Sequence, residues 1–381
     1  MTIAILTLIG GLAGLVATGG AIVSGATTIG LRVGLPPLVV GLTIVAAGTS
    51  APELAVVWRA VDAGDPGLAL GSVIGSNIAN ILLVVGLVAA FGSIPVARRT
   101  QRVELPVMVV ASIVTFALAA DGTIGPRDGA ILLTGLVAFV TSMIVTQRRA
   151  PGDESSVGTT GKDATDIETA VRPSARRTLA AIGLFAVGVV GVAISAQFVV
   201  SAAEDIALSI GVPELVVGLT VLAIGTSAPE IVTSVIAALR GRSDIAIGNA
   251  IGSNVFNLLF VLGTVSVTHS DLPVPDELIR LDLPVMIGAA VLCVPIAVTD
   301  SAITRWEGVA FAGLYAGYTV FLVLDGLGES SAPFVGVGTL AAVVPILALT
   351  IRLLTRRRAT AGKDVPDAAV DDRDRPAARS T

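Results

Sequence analysis

Two glutamates, Glu53 and Glu230, lie about halfway along apolar stretches of the sequence, and each follows the run Gly-Thr-Ser-Ala-Pro. A carboxylate at the centre of a bilayer costs roughly 2.5–3.5 kcal/mol or more, so a residue of this kind is by default functional. The alternative is a structural ion pair with an arginine on a neighbouring helix. No Arg or Lys lies in the middle of an apolar stretch, however, which leaves a proton or a metal ion as the partner.

The polar residues near the glutamates favour a hard cation. Thr49 and Ser50 lie about one turn before Glu53 and can share a helix face with it, and the second half repeats this spacing. The next apolar stretch of each half adds a Ser and an Asn four residues apart. With the two glutamates, these candidate ligands are Thr49, Ser50, Ser76, Asn80, Thr226, Ser227, Ser253 and Asn257. Apart from the amide nitrogens their donors are oxygens, which suit Ca²⁺, Mg²⁺, Mn²⁺ or Na⁺ over Zn²⁺ or Cu⁺.

Two prolines are predicted to help build this site. Pro52 and Pro229 lack an N–H, so we expect the helix to open there and to turn free carbonyls inward. Asn77 and Asn254 are expected to fix this break rather than to bind an ion. For the serines of the Ser–Asn pairs, a hydrogen bond to a local carbonyl is an equally good interpretation. Ca²⁺, which accepts about 6–8 oxygens in a flexible geometry, fits such a mixture of ligands best.

The composition places these residues in a membrane. Of the 381 residues, 14% are charged and 54% are hydrophobic, whereas a soluble domain carries about 25% charged residues. This excludes a soluble enzyme and a disordered chain, and the net charge of −5 excludes a nucleic-acid binder. A single cysteine, Cys293, and a single histidine, His269, exclude a disulfide scaffold and a Cys/His zinc cluster.

Eleven apolar runs are long enough, at about 20 residues, to cross a bilayer as helices. They lie at 3–25, 36–58, 67–91, 103–120, 128–146, 178–203, 213–239, 245–268, 281–299, 306–324 and 333–355. The first run lacks a preceding basic segment and has a counterpart in the second half, so we interpret it as a structural helix rather than a cleaved signal. The predicted fold is therefore an all-α membrane protein with about eleven spans.

The basic residues predict the orientation of these helices. If the N-terminus lies outside the cell, 21 of the 24 basic residues fall on the cytoplasmic side. Only Arg59, Arg127 and Arg280 then lie outside. Because cytoplasmic loops of membrane proteins carry an excess of Lys and Arg, we expect a multi-pass protein of the cell membrane with its N-terminus outside and its C-terminus in the cytoplasm.

The sequence repeats itself at an offset of 177 residues. Residues 38–53 match residues 215–230 at 13 of 16 positions, and residues 71–86 match residues 248–263 at nine of 16. Each repeat holds five spans, and because five is odd the second copy must enter the membrane from the opposite side. Inverted repeats of this kind are a standard transporter architecture, with the binding site at the repeat interface near the midplane.

The predicted organisation has five parts. Residues 1–147 form the first inverted repeat, residues 148–177 a cytoplasmic linker, and residues 178–326 the second inverted repeat. An extra membrane helix follows at residues 332–355, and the tail at residues 356–381 is expected to be disordered. The linker and the tail are polar, with few large apolar residues, which is typical of flexible segments.

The paired motifs resemble the two α-repeats of the cation/Ca²⁺ exchanger superfamily, in particular its prokaryotic sodium/calcium exchanger branch. GLTIVAAGTSAPE with GSNIAN, and GLTVLAIGTSAPE with GSNVFN, carry the resemblance, which covers about residues 1–325. It implies that spans 2, 3, 7 and 8 enclose the ions and that spans 1 and 6 slide past them. The implied Ca²⁺ ligands are Glu53, Glu230, Thr49, Thr226 and the carbonyls of Ala46 and Ala223. The implied Na⁺ sites use Ser50, Ser227, Ser76 and Ser253 with the two glutamates.

Two features depart from this family. Asn257 stands where many sodium exchangers carry Asp, and proton/Ca²⁺ exchangers of the same superfamily also lack that carboxylate. The eleventh span is the second departure. The resemblance implies a secondary active antiporter that exports Ca²⁺ in exchange for Na⁺. Exchange of H⁺ for Ca²⁺, or for another divalent cation, on the same fold is the alternative.

Two other classes of function compete with exchange. An intramembrane hydrolase could use Ser50 or Ser227 with a glutamate, but no His or Lys base lies near either serine in the sequence. A passive cation channel would conduct without a counter-ion. We therefore expect no enzymatic activity, no cofactor and no nucleic-acid partner, and the expected partners are Ca²⁺, Na⁺ or H⁺, and the lipid bilayer. The oligomeric state stays open.

Overall fold

The computed structural model describes residues 2–149, 173–212, 223–299 and 301–339. This part of the chain is helical apart from two pairs of two-residue strands, and nine of its helices are long and apolar enough to cross a membrane. The helices are α1 (Thr2–Val33), α2 (Pro37–Asp62), α3 (Pro66–Phe91), α4 (Thr100–Ala119), α5 (Pro126–Arg149), α6 (Ala175–Ser209), the shorter α7 (Ala228–Leu239), α8 (Ser243–Thr268), α9 (Leu278–Val298) and α10 (Arg305–Gly326). The predicted all-α membrane fold is confirmed.

Several predicted segments lie partly or wholly outside the described residues. The seventh run is described only from a helical turn at Ala223–Thr226 onward. Residues 332–339 are helical and begin the predicted eleventh run. The rest of that run, the predicted tail and the middle of the predicted linker fall outside.

The predicted linker at 148–177 is too long at both ends. Helix α5 continues to Arg149, and α6 already begins at Ala175. Ser174 caps α6, since its side chain accepts a hydrogen bond from the backbone N–H of Arg177. A serine at this position stabilises the first turn of a helix. Arg148 and Arg149 therefore belong to α5, and Arg176 and Arg177 belong to α6.

Helix α1 is longer than the predicted run at 3–25. The hydroxyl of Thr27 donates to the carbonyl of Val23 at 2.7 Å, so this polar residue stays within the helix rather than ending it. The helix ends at Val33 because Gly34 adopts a φ of 73°, a left-handed conformation that favours glycine.

The two short strand pairs relate the two halves of the chain. Strand β1 (Ile94–Pro95) follows α3 and pairs with β4 (Ala302–Ile303), which precedes α10. Strand β2 (Thr123–Ile124) precedes α5 and pairs with β3 (Leu272–Pro273), which follows α8. Equivalent strands of the two repeats therefore lie at opposite ends of the molecule, as inverted repeats require. We refer to these ends as the β1–β4 end and the β2–β3 end.

The core of the molecule consists of α2, α3, α7 and α8, which contact one another. In α8, 94% of the most apolar 18-residue segment is buried, whereas in α1 the corresponding share is 28%. Helix α8 is therefore the central helix, and α1 lies at the surface. The long helices α1 and α6 pack against each other along their length and also contact α2 and α7. Apolar side chains on their outer faces are exposed, as expected for helices that face lipid.

Helices α2 and α8 cross at van der Waals distance through glycines. A Cβ at Gly252 would lie 2.7 Å from the carbonyl oxygen of Leu42, and a Cβ at Gly41 would lie 2.6 Å from the carbonyl oxygen of Ile245. Small residues allow membrane helices to approach this closely. The crossing brings the part of α2 that leads to Glu53 against the middle of α8.

Three of the four core helices contain a π-helical turn. These turns span Gly41–Val45 in α2, Asn80–Val85 in α3 and Asn257–Leu262 in α8. A π-helical turn inserts an extra residue into an α-helix and is frequent at functional sites. Two of the three turns begin at asparagines that the sequence predicts as ligands.

A contact at the β2–β3 end connects α2 to the residues that follow α8. The Nε2 atom of His269 lies 3.2 Å from a carboxylate oxygen of Asp62, and its ring stands edge-on to Trp58 with centroids 4.9 Å apart. We expect His269→Ala to lower the free energy of unfolding by about 1 kcal/mol, mainly through the lost ring contact, because the Asp62 side chain is exposed. Thermal unfolding in detergent measures this.

Arg280→Ala serves as the control for that prediction. Arg280 and Asp276 form an ion pair whose side chains are both about three-quarters exposed or more, and such pairs contribute little. An equal loss of stability in both variants would contradict the assignment of the His269 effect to its ring contact.

Candidate cation site

Glu53 and Glu230 meet in the core of the molecule. Their exposed fractions are 2% and 0%, and the two carboxyl groups are near enough to interact electrostatically with each other. None of their four carboxyl oxygens makes a hydrogen bond of normal geometry within the described part of the chain. No basic side chain pairs with them there, and no third acidic, histidine or cysteine residue joins them.

In the first half, Glu53 is positioned by a continuous helix. Residues Ala46–Asp62 are α-helical through Pro52, and the irregularity lies about two to three turns earlier, in the π-helical turn Gly41–Val45. The predicted opening at Pro52 is therefore wrong for this half. A proline removes one backbone hydrogen bond, and within a membrane the packing of neighbouring helices can hold such a helix together.

In the second half, the predicted break is present. The turn Ala223–Thr226 ends, Ser227 adopts φ −89° and ψ 3°, and α7 restarts at Ala228. Pro229 thus lies in the first turn of α7, where a missing N–H breaks no helical hydrogen bond. Glu230 follows it, so this carboxylate stands at the beginning of a helix, whereas Glu53 stands within one.

A residue of the first half reaches the carboxylate of the second. The Thr49 hydroxyl lies 3.3 Å from the hydroxyl of Ser253, and both hydroxyls interact with Glu230. The Ala46 carbonyl also lies 3.3 Å from the Thr49 hydroxyl and is one of the acceptors within its reach. The two repeats therefore share one polar cluster, to which α2, α7 and α8 all contribute.

Several other predicted ligands are buried in the core with unsatisfied polar atoms. Buried polar groups in proteins normally have hydrogen-bond partners. Within the described residues, no hydrogen-bond partner is present for the hydroxyls of Ser50, Ser76 and Ser227 or for the two amide atoms of Asn80 and of Asn257. Ser76 and Ser253 do not bond a local carbonyl, which was the competing interpretation for both. A set of unsatisfied oxygens of this kind fits a cation.

The remaining predicted residues lie close to this cluster. Ala223 and Thr226 belong to the helical turn that contacts α3, and Thr226 is half-buried. Asn77 and Asn254 each donate from the amide nitrogen to a carbonyl four residues earlier in the same helix, at 2.7 and 2.8 Å. These bonds precede the π-helical turns of α3 and α8. The predicted role of the two asparagines in fixing a helix break stays a prediction.

Three buried polar residues of the second half were missed by the sequence reasoning. Thr233, Ser234 and Asn249 are all 0% exposed and lie near Glu230 in sequence or across the α7–α8 contact. They have no polar match in the first half beyond Ser72, the equivalent of Asn249. Residues shared by both repeats therefore do not point to these three positions, and the sequence signal that does is the difference between the repeats.

Comparisons with known proteins agree with this architecture. The family described as "Sodium/calcium exchanger protein" matches residues 3–145 and 180–324. Sodium/calcium exchanger MaX1 of Methanosarcina acetivorans is 28% identical over 362 residues, which cover 84% of this chain and 99% of that protein. Inner membrane protein YrbG of Escherichia coli is 36% identical over 231 residues, covering 60% and 69%. The structure of the sodium-calcium exchanger NCX_Mj soaked with 10 mM Na⁺ matches with a TM-score of 0.68 and 27% identity, over 83% of this chain and 98% of that one.

Proposed function

The chain belongs to the sodium/calcium exchanger protein family, and from that premise we propose that it exports Ca²⁺ across the cell membrane in exchange for Na⁺. The family consists of cation/Ca²⁺ exchangers, so the chain is a multi-pass membrane transporter rather than an enzyme. The observation that carries the proposal is the pair of buried carboxylates, Glu53 and Glu230, which face each other without a basic partner among the described residues.

The charge of this pair favours exchange over a leak. Two carboxylates about 5 Å apart at an effective dielectric of about 20 repel each other by roughly 3 kcal/mol. An empty site with both charges is therefore unfavourable to enclose within the membrane. One Ca²⁺ relieves the repulsion, and so do Na⁺ ions or a proton. The transporter then changes from one open conformation to the other only when a cation or a proton occupies the site, and this requirement couples the two ion fluxes.

Sodium as the counter-ion is supported by the serines of the core. The hydroxyls of Ser50, Ser76 and Ser227 are buried and have no hydrogen-bond partner among the described residues, and neutral oxygens of this kind can complete the shell of a Na⁺ ion. The relative MaX1, which aligns over 84% of this chain, is a sodium/calcium exchanger by name. The rival is H⁺/Ca²⁺ exchange, which is favoured by Asn257, because an amide in place of a third carboxylate leaves less charge to hold Na⁺.

The orientation follows from the basic residues. Arg98, Arg99, Arg240 and Arg242 lie at the β1–β4 end, which we assign to the cytoplasm by the excess of arginine there. This places the N-terminus outside the cell. Export of Ca²⁺ then proceeds from the β1–β4 end toward the β2–β3 end, and the transported ions are substrates rather than resident cofactors.

A flux experiment tests the counter-ion. Purified protein in liposomes loaded with Na⁺ at equal pH is expected to take up ⁴⁵Ca²⁺ at a saturable rate, because Na⁺ leaving the site makes room for Ca²⁺. A pH gradient without Na⁺ is expected to give little uptake. Uptake driven by the pH gradient alone would reject Na⁺ in favour of H⁺. Uptake that needs neither gradient would show a channel.

A further inference from the structure

Asn249 of α8 lies beside the cation site. It is located within the repeated segment, but the two repeats have different residues at this position. Its side chain is fully buried, four residues before Ser253 and on the same helix face. The equivalent residue of the first half is Ser72. We propose that Asn249 is a positioning residue, which directs the proton of the Thr49 hydroxyl and thereby sets the affinity for the transported cation. This inference rests on the proposed function.

Both ends of the Asn249 amide are held by hydrogen bonds. Its nitrogen Nδ2 donates to the hydroxyl of Ser234 on α7 at 2.9 Å, and its oxygen Oδ1 accepts from the hydroxyl of Thr49 on α2 at 3.2 Å. Because Ser234 accepts from the donor end of the amide, the acceptor end faces Thr49. The first half has Val57 at the position of Ser234, so it lacks this anchor.

The Thr49 hydroxyl has one proton and four possible acceptors nearby. These are Oδ1 of Asn249 at 3.2 Å, the carbonyl of Ala46 and the hydroxyl of Ser253, each at 3.3 Å, and the carboxylate of Glu230, with which the hydroxyl interacts. A cation bound beside Glu230 needs the lone pairs of the hydroxyl oxygen, so the proton must then point elsewhere. The Ala46 carbonyl and the Ser253 hydroxyl are themselves candidate ligands for the cation. Asn249 is the remaining acceptor that does not compete with the ion.

In the structure the hydroxyl donates to Asn249, and this direction leaves the lone pairs of its oxygen free for a cation beside Glu230. The Glu230 carboxylate accepts no hydrogen bond of normal geometry from it within the described residues. Without an acceptor at Asn249, the loaded site would contain a buried hydroxyl proton with no partner, which is unfavourable. Removal of this acceptor is thus expected to weaken cation binding and to leave the carboxylate pair in place.

The test compares variants of the full-length protein in Ca²⁺ binding by calorimetry and in ⁴⁵Ca²⁺ flux. Asn249→Leu, which has a similar volume but no acceptor, is expected to bind Ca²⁺ about tenfold more weakly and to raise KM while the maximal rate changes little. Asn249→Asp keeps an acceptor and is expected to bind at least as tightly as wild type. Ser72→Ala, at the equivalent position of the first half, is the matched control and should bind like wild type.

A double-mutant cycle distinguishes positioning from a general packing effect. If Asn249 acts through Thr49, then Asn249→Leu should have little further effect on Ca²⁺ affinity once Thr49→Val has removed the hydroxyl. An equal tenfold weakening in both backgrounds would overturn the proposal, and so would wild-type affinity in Asn249→Leu. If Asn249→Leu is not monodisperse, Ser234→Ala replaces it in the same cycle, with a weakening of about threefold expected because the amide loses its anchor.

The outcomes also separate this inference from the proposed function. Absence of Ca²⁺ binding and of Ca²⁺ flux in the wild-type protein would overturn the proposed function, and the role of Asn249 with it. Wild-type binding together with an unchanged affinity in Asn249→Leu and in Ser234→Ala would overturn the role of Asn249 alone.

Discussion

Glu53→Gln and Glu230→Gln are each expected to reduce Ca²⁺ affinity between about 10²- and 10⁴-fold and to abolish measurable exchange. Each substitution removes one of the two negative charges and leaves the packing nearly unchanged, because Gln has almost the same shape as Glu. Removal of one partner from a buried pair of opposite charges, here a carboxylate and the bound Ca²⁺, typically costs about 3–5 kcal/mol, from which this range follows. Calorimetric Ca²⁺ titration and ⁴⁵Ca²⁺ flux in liposomes are the measurements.

Glu329→Gln is the matched control for the two glutamate variants. Glu329 is exposed beyond the end of α10, away from the core, and the same loss of charge there should leave both affinity and flux unchanged. A result in which only one of the two core variants loses Ca²⁺ affinity would contradict a shared site. The ion would then depend on a single carboxylate, and the pairing seen in the core would have no role in binding.

Gly252→Val is expected to have the largest effect on folding. A Cβ at Gly252 would lie 2.7 Å from the carbonyl oxygen of Leu42 and 2.8 Å from the Cβ of Ala46, so the backbone of α2 would have to move. Overpacking of a core typically costs about 1–3 kcal/mol, and contact with backbone gives a value at or above the top of that range. We expect most of this variant to be lost as aggregate in size-exclusion chromatography, and the remainder to bind Ca²⁺ weakly.

Gly288→Val on α9 separates this clash from a general effect of valine in a membrane helix. Gly288 is exposed, and apart from its chain neighbours and the adjacent backbone of its own helix, no atom of the described chain lies within 4 Å of the position of its Cβ. This control should match wild type in yield and in thermal unfolding. If both variants behave alike, the close crossing of α2 and α8 is not what limits the fold.

The duplicated motif made the carboxylate pair predictable. Glu53 and Glu230 stand at equivalent positions of two copies, and the odd number of spans per copy implies that the copies are inverted and share a site. Hydrophobic length alone gave most helices to within a few residues. The ends of α1 and α6 were less predictable. Polar residues such as Thr27 donate a hydrogen bond to a carbonyl of their own helix and therefore do not end it.

Local chemistry predicts a helix break at both of the equivalent prolines, and the structure has it at only one of them. Pro52 and Pro229 have the same neighbours in sequence, yet the helix continues through Pro52 and restarts just before Pro229. The difference lies in how each segment packs, which a short motif does not encode. Asn249 was overlooked for a related reason, since it differs from Ser72 and a comparison of repeats highlights only what both copies retain.

The most direct test of the shared site is a crystal structure of the protein soaked with Mn²⁺ or Ca²⁺, with anomalous scattering used to locate the ion. We predict one strong peak in the core, within about 2.0–2.6 Å of carboxylate oxygens from both Glu53 and Glu230. A peak that contacts only one of these residues, or the two side chains far apart with each bound to a basic group, would contradict the account.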